Sequence, residues 1–487
     1  MKFIGRKEQL RKLNRAIANT DKEEAMQTVL IYGRRRVGKS ELVKQLLKST
    51  TCQSIYYECK QVAEESNAQG ICNILSEELH LPKLGYQSIE EVLEYIFQRS
   101  CEENMIFVLD EYPYLRENIK GMDSILQAMI DKYRDSAKLT FIILGSFVEI
   151  MRNLMEPSNP LYGRIDLTIN LKPMDYYEST EFYPTFSEED RIKIYSVFGG
   201  IPYYNRLVDD SISVEENLLE LLVAPEARLE NEVSMYLNAE ISKITNANEV
   251  FEALSRGYTK YKDILDQSHV SSGPTLVDVL DKLSKMEVVE KRTPINDEGN
   301  KRKASYHISD PLSAFYYRYI FRYASQRKIM DPSIFYEKYI REDFESFYVS
   351  HYFEEICKQY LIRKNRAGEI SPVIEKIGKY YYDIPSEKRN GEFDVVTQDE
   401  NGYVFYEVKF RKETIPTAIV REEIEQVKAT GMNCYKYVFV SKSPVGNRRN
   451  SGSHKTNEFM ELKSNSSLSR LCPRIFHHIY WLLYFRS

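Results

Sequence analysis

The sequence has no long apolar run, no close cysteine pair and no excess of basic charge, and each absence removes a class of protein. Its longest apolar stretches, LTFIILGSFVEIM and IFHHIYWLLYF, carry polar interruptions and fall short of the roughly 20 residues a membrane-spanning helix needs. The N-terminal MKFIGRKEQL is charged from its second residue and lacks the apolar core of a signal peptide. Seven cysteines, odd in number and scattered without a CxxC spacing, suggest reduced thiols. Lys and Arg number 67 against 72 Asp and Glu, a formal charge of -5, so any polyanion site must be a local patch. No low-complexity block or internal repeat is present. A soluble cytoplasmic protein with no membrane partner is the expectation, and 487 residues suffice for roughly three domains of about 150 residues each.

What is there begins with TVLIYGRRRVGKSELVKQLLK, an apolar run, a glycine-bounded loop and a helical pattern. It matches G-x-x-x-x-G-K-[ST] in the strand, loop, helix context that a phosphate-binding loop requires. Gly33 and Gly38 let the backbone of Arg34, Arg35, Arg36 and Val37 curl so that N–H groups face phosphate oxygens at a helix N-terminus. Lys39 is placed to bridge the β- and γ-phosphates of ATP, and the Ser40 hydroxyl to ligate Mg2+. Arg34, Arg35 and Arg36 read as solvated arginines that raise nucleotide affinity.

MIFVLDE, residues 105 to 111, is a buried-type strand ending in two acids. Asp110 is placed to hold the magnesium shell and Glu111 to polarise a water against the γ-phosphate. A third apolar strand, KLTFIILGSF, ends in Gly145 and Ser146. Ser146 is either a polar sensor of the water and γ-phosphate or the N-cap of the helix that follows. Strands alternating with helices imply a parallel α/β sheet with the nucleotide at its C-terminal edge.

FIGRKEQLRKL, GRRRVGKS, VLDEYPYL, LGSF, LYGRIDLTINLKPM and GGIPYYN together resemble the archaeal-type ATPases, a branch of the AAA+ and STAND-like P-loop NTPases. The resemblance implies that Gly5 and Arg6 lie near the adenine, with Phe3 and Ile4 packed on the base or in the core. It gives Arg164 the position of an arginine finger, with a surface arginine as the other reading, and it makes the Gly199–Gly200–Pro202 region a lid.

Residues 244 to 310 read as three helices and a two-stranded wing. Leu276, Val279, Leu280 and Leu283 share one helical stripe, and VVEKRTPINDEGNKRKASYHI alternates across a turn at Asp297 to Gly299. Lys291, Arg292, Lys301, Arg302 and Lys303 make the wing basic, whereas Asp278 and Asp281 oppose DNA reading by the third helix, which Ser271, Ser272 and Thr275 open. DNA contact and packing within the protein both stand as readings of this module.

Beyond an aromatic segment, ISDPLSAFYYRYIF, the order of one helix, a hairpin, a helix and a strand is that of the PD-(D/E)xK nuclease fold. In GEFDVVTQDENGYVFYEVKF, strand alternation puts Glu407 and Lys409 on one face. Asp394 on the partner strand could join them, so Asp394 and Glu407 become a second Mg2+ site with Lys409 beside it and Glu354 as a fourth candidate. The tail after Ser443 loses periodicity and reads as irregular and frameshifted or replaced.

The expectation is therefore an α/β chain of five segments. These are a P-loop ATPase core with a parallel sheet (1–175), a helical lid (176–243) and a winged helix-turn-helix (244–310). A C-terminal α/β restriction-endonuclease-like domain (311–442) and an irregular tail (443–487) follow. The implied function is ATP hydrolysis with Mg2+ coupled to action on DNA, or else an ATP-gated switch or scaffold whose nuclease-like domain is inactive, with a homo-oligomer as a further candidate assembly.

Overall fold

The computed structural model describes residues 3–23, 25–235, 244–410, 416–442, 460–462 and 480–485. The chain divides into two compact units, one comprising Met1–Met174, Gly200–Arg206 and Lys285–Glu287, the other the remainder.

The first unit is a five-stranded parallel sheet of β1 (Gln27–Tyr32), β2 (Gln53–Glu58), β3 (Met105–Asp110), β4 (Leu139–Gly145) and β5 (Leu167–Asn170) in the order β2-β3-β4-β1-β5. Every residue of β3 and β4 is buried, which is why these strands read as unbroken apolar runs rather than as alternation. The flanking helices are α1 (Lys7–Glu23), α2 (Lys39–Leu47), α3 (Glu64–Glu78), α4 (Ile89–Arg99), α5 (Pro113–Asn118), α6 (Met122–Tyr133) and α7 (Val148–Asn153). Insertion of β4 between β1 and β3 makes a switch point at the strands' carboxyl ends. The pairings Tyr32↔Gly145 and Glu58↔Asp110 bring four strand ends level there, so Gly33, Glu111 and Ser146 emerge at one edge.

In the second unit α8 (Glu188–Phe198) precedes the winged segment, which consists of α9 (Ala247–Ser255), α10 (Tyr261–Gln267), α11 (Gly273–Lys285) and the hairpin β6 (Val289–Arg292) with β7 (Ser305–Ile308). The α11 stripe of Leu276, Val279, Leu280 and Leu283 is buried as its spacing predicts. The wing strands are shorter than the alternation suggests, because the intervening chain pairs elsewhere. The Ile295 amide donates to the Lys379 carbonyl at 2.8 Å, and Asn296 exchanges hydrogen bonds with the Tyr381 backbone at 2.8 and 3.0 Å.

The C-terminal region runs α12 (Val349–Arg366), β8 (Lys376–Ile384), β9 (Arg389–Asp399), β10 (Gly402–Lys409), α13 (Thr417–Ala429) and β11 (Cys434–Ser441). β8, β9 and β10 form an antiparallel meander, and β10 pairs with β11 in parallel, a connection that requires a crossover and uses α13. Phe393, Val396 and Phe405 from the sheet meet Val420, Ile424 and Val427 of α13 in one apolar cluster.

The tail departs from its expected irregularity. Tyr480–Phe485 (β13) pairs antiparallel with β11, and Met460–Leu462 (β12) pairs with β13. The backbone groups of β11, which would otherwise form an open edge, are thereby covered, and the sheet extends past residue 442. The rest of the expected frameshifted segment lies outside the described residues.

Candidate functional site

At the end of β1 the chain turns sharply at Gly33, where an added Cβ would lie 2.3 Å from the Leu171 carbonyl oxygen; no larger residue fits. Gly38, with φ 94°, closes the loop and caps α2. Lys39 is only 5% exposed and folds back, its ammonium donating to the carbonyls of Gly33 at 2.8 Å and Arg34 at 3.2 Å. From the other side the buried Arg6 guanidinium donates to the Val37 carbonyl at 3.1 Å, so the opening Gly5–Arg6 segment pins the loop backbone.

Asp110 is almost fully buried at the end of β3, and its carboxylate accepts from the Ser40 hydroxyl at 2.6 Å. The Tyr56 hydroxyl, from β2, donates to the same oxygen. Burial, and then the charge of Asp110, push the Tyr56 phenol well above its ordinary range, which keeps it a donor. The next residue, Glu111, adopts φ 53°, a conformation uncommon outside glycine. Its two carboxylate oxygens accept from the Ser146 hydroxyl at 2.6 and 2.7 Å, and one also from the Ser146 amide at 3.2 Å. Phe147 rather than Ser146 precedes α7 as its cap, with no side-chain capping bond. The Ser146 hydroxyl therefore serves Glu111, not the helix.

The loop arginines are not simply solvated. The Arg36 guanidinium lies 4.1 Å from the Tyr203 ring centre. Arg35 lies 5.3 Å from the Phe147 ring and donates to the Tyr114 hydroxyl at 3.2 Å, and Arg34 donates to that of Tyr204 at 3.5 Å. Aromatic faces attract guanidinium groups and limit their rotamers. Arg164 stands apart from this assembly: its fork grips Asp131 of α6 with two bonds of 2.7 Å, while its remaining amine donates to the carbonyls of Pro160 and Tyr162.

The second acidic group lies in the C-terminal sheet. The β9–β10 pairing ends at Val395↔Tyr406, one step before Asp394 and Glu407. Lys409 pairs with Glu407 and stands 3.8 Å from Glu423 of α13. Burial pushes the Glu407 carboxyl up to about 7, opposed by Lys409 and assisted by the charges of Glu423 and Asp394. Asp394 is itself paired with Lys379 at 2.8 Å, at the bulge in β8. Burial pulls the Lys379 ammonium down, but Asp394, Glu392 and Glu354 more than offset it and raise it above the ordinary lysine range. Among the described residues no group of three or more His, Cys, Asp or Glu side chains is arranged to hold a metal ion. Two carboxylates, each neutralised by an ammonium, do not make a ready metal site.

Tyr56, Lys379 and Glu423 escape a reading of the sequence, as does the contact of Arg6 with the Val37 carbonyl. Each carries a polar group on or beside a strand or helix that the pattern identifies, but only the tertiary fold gives it a partner.

Residues 3–207 match a family described as an ATPase domain predominantly from Archaea, and residues 316–427 match a family of archaeal and bacterial proteins of unknown function. The chain thus carries an archaeal-type P-loop ATPase domain. An uncharacterized protein of Methanocaldococcus jannaschii is 26% identical over 450 residues, which cover 90% of this chain and 95% of that protein. Among solved structures, a Walker-type ATPase of Pyrococcus abyssi is 21% identical with TM-score 0.51, covering 65% of this chain and 96% of that one, and so shares the fold. The Aeropyrum pernix ORC2 protein in its ADPNP–ADP complexes is 15% identical with TM-score 0.46, covering 67% and 96%. No helix among the described residues is long and apolar enough to cross a membrane.

Proposed function

We propose that the chain hydrolyses ATP and couples that cycle to a winged-helix and nuclease-like module acting on DNA. The observation that carries the first half is the meeting of Ser40 with Asp110, and of Glu111 with Ser146, at one edge of the parallel sheet. Ser40 and Asp110 present hard oxygen donors side by side, a set that fits Mg2+, and the ion would supply neutralising charge for the β- and γ-phosphates when bound. Lys39 exchanges the Gly33 and Arg34 carbonyls for phosphate oxygens. Glu111 orients and deprotonates the attacking water, and Ser146 fixes the direction of its carboxylate. Phe3 and Ile4 pack beside the base. Arg164 acts as a finger only by leaving Asp131.

The DNA half rests on the basic wing and on the α12-β8-β9-β10-α13-β11 order, which is that of the PD-(D/E)xK fold. A second reading, in which this fold binds without cutting, is favoured by the pairing of Asp394 and Glu407 with Lys379 and Lys409. ATP turnover measured with and without single- and double-stranded DNA tests the coupling. Stimulation by DNA is expected, and equal rates under all three conditions would dismiss it. Magnesium-dependent cleavage of either DNA separates the two readings of the C-terminal fold.

A further inference from the structure

The docking of the wing onto β8 forms a half-open cavity of about 280 Å3, lined by β6 and the turn after it, by α12 and by β8. The chain that follows its Thr293–Pro294 wall is preformed, since the Ile295 amide and both polar atoms of the Asn296 amide are tied to the β8 backbone. Among the described residues, five cations line it: Lys291, Arg292, Lys303, Lys358 and Lys379. The acids in the lining are Glu290, Glu355 and Glu392, a formal excess of two positive charges within the lining; just outside it Lys303 pairs with Asp297 and Lys379 with Asp394, while Glu392 pairs with Lys260, which leaves the surroundings cationic by one. Those acids orient the cations: Glu355 accepts from Arg292 at 2.6 Å and from Lys358 at 3.1 Å, and Glu290 holds the other edge of Arg292 at 2.9 Å. The neighbouring His307 is pushed down to about 2, first by burial and then by the same Arg292 and Lys379.

A small, half-open, cationic cavity suits a compact oxyanion with several acceptor atoms, and guanidinium with ammonium groups is the donor set for phosphate. One wall residue also leads out of it. Lys379 lines the cavity and pairs with Asp394 at 2.8 Å, and Glu392 lies two residues before Asp394 on β9. A strand with one phosphate in the cavity would carry a neighbouring phosphate towards Asp394, Glu407 and Lys409.

We propose that this cavity is a phosphate subsite for a nucleic-acid strand, formed jointly by the wing and the nuclease-like sheet, with Lys379 linking it to the acidic site. This rests on the DNA-acting reading above and names the part of the surface that would grip the backbone.

The test is binding of a fluorescent single-stranded oligonucleotide to the full-length chain across a salt series, with Lys291→Glu and Lys358→Gln. Lys291 is exposed, so its variant should fold, and an unchanged unfolding midpoint checks this. Each variant should weaken binding severalfold and lower the salt slope by about one for each phosphate it no longer neutralises. Inorganic pyrophosphate, the free-phosphate probe, should displace the oligonucleotide only weakly; displacement at matching affinity would assign the cavity to a free phosphate instead and overturn the proposal. An oligonucleotide that binds parent and variants with equal affinity and slope overturns the cavity while leaving the DNA reading intact. No binding to the parent overturns both.

Discussion

At the end of β3, Asp110 and Glu111 are held by the hydroxyls of Ser40, Tyr56 and Ser146, whereas in the C-terminal sheet Asp394 and Glu407 are held by the ammonium groups of Lys379 and Lys409. A hydroxyl orients a carboxylate without cancelling its charge. An ammonium does both, and in a half-buried place the cancelled charge matters more than the orientation. The first pair is therefore set for an incoming cation or proton, and the second has to release a cation before it can accept another. Two acid pairs on strands in one chain thus differ in chemistry because of their donors, not because of the acids.

The largest expected effect lies in the ATP site. Lys39→Ala should lose ATP binding by at least about 100-fold, as measured by calorimetry, because it removes the cation meant for phosphate. Glu111→Gln should keep affinity within a few-fold while turnover falls by roughly 10²–10⁴, since in the proposed role it acts as the water attacks the γ-phosphate. Ser146→Ala should cost roughly tenfold in turnover at unchanged affinity, in line with one charge-assisted hydrogen bond. Equal loss of affinity in all three would erase the distinction between phosphate grip and water activation.

At the second site the comparison can be inverted. Lys379→Met should raise nucleotide-free Mn2+ binding by roughly tenfold, because Asp394 loses its internal cation. Adding Asp394→Ala should abolish the gain. A variant that binds Mn2+ no better than the parent would mean that ammonium pairing is not what keeps metal out.

A smaller effect concerns pH. His307 is held neutral, pushed down to about 2, while the unfolded chain protonates it near its ordinary value. Below that value the unfolded state binds more protons, so stability should fall as pH drops from about 6.5, by on the order of 1 kcal/mol per pH unit. Unfolding midpoints of the parent and of His307→Gln at pH 7 and pH 5 check this. If the two chains lose stability in parallel, His307 is not the group responsible.

The smallest effect is expected at Arg164, which shares its half-exposed partner Asp131 with solvent. Arg164→Ala should cost no more than about 1 kcal/mol of stability. Turnover is the sharper measurement: a large drop without loss of ATP affinity would reveal a finger acting outside the Asp131 pairing.

Much of the candidate ATP site was legible because its residues are contiguous. Gly33 to Ser40 build a loop whose shape is dictated by local backbone geometry, and Asp110 and Glu111 follow a strand whose apolar run is unmistakable. The i, i+2 spacing of Glu407 and Lys409 likewise follows from strand alternation alone. What the residues around these acids do was not legible. Ser146 offered two roles of equal plausibility, and only the level ends of β3 and β4 gave its hydroxyl to Glu111.

By itself the sequence determined the order of the main elements up to residue 442, the parallel sheet, the candidate phosphate loop and the two pairs of acids, since each depends on local propensity or on periodicity along the chain. Tertiary structure alone decided that Tyr56 joins Asp110, that ring faces hold the loop arginines, that Asp131 takes Arg164, that the wing docks on β8 and that part of the tail covers β11. These are choices of partner across strands and helices distant in the chain. They are set by sheet order, by register and by the need to satisfy buried or edge polar groups, none of which leaves a period in the sequence.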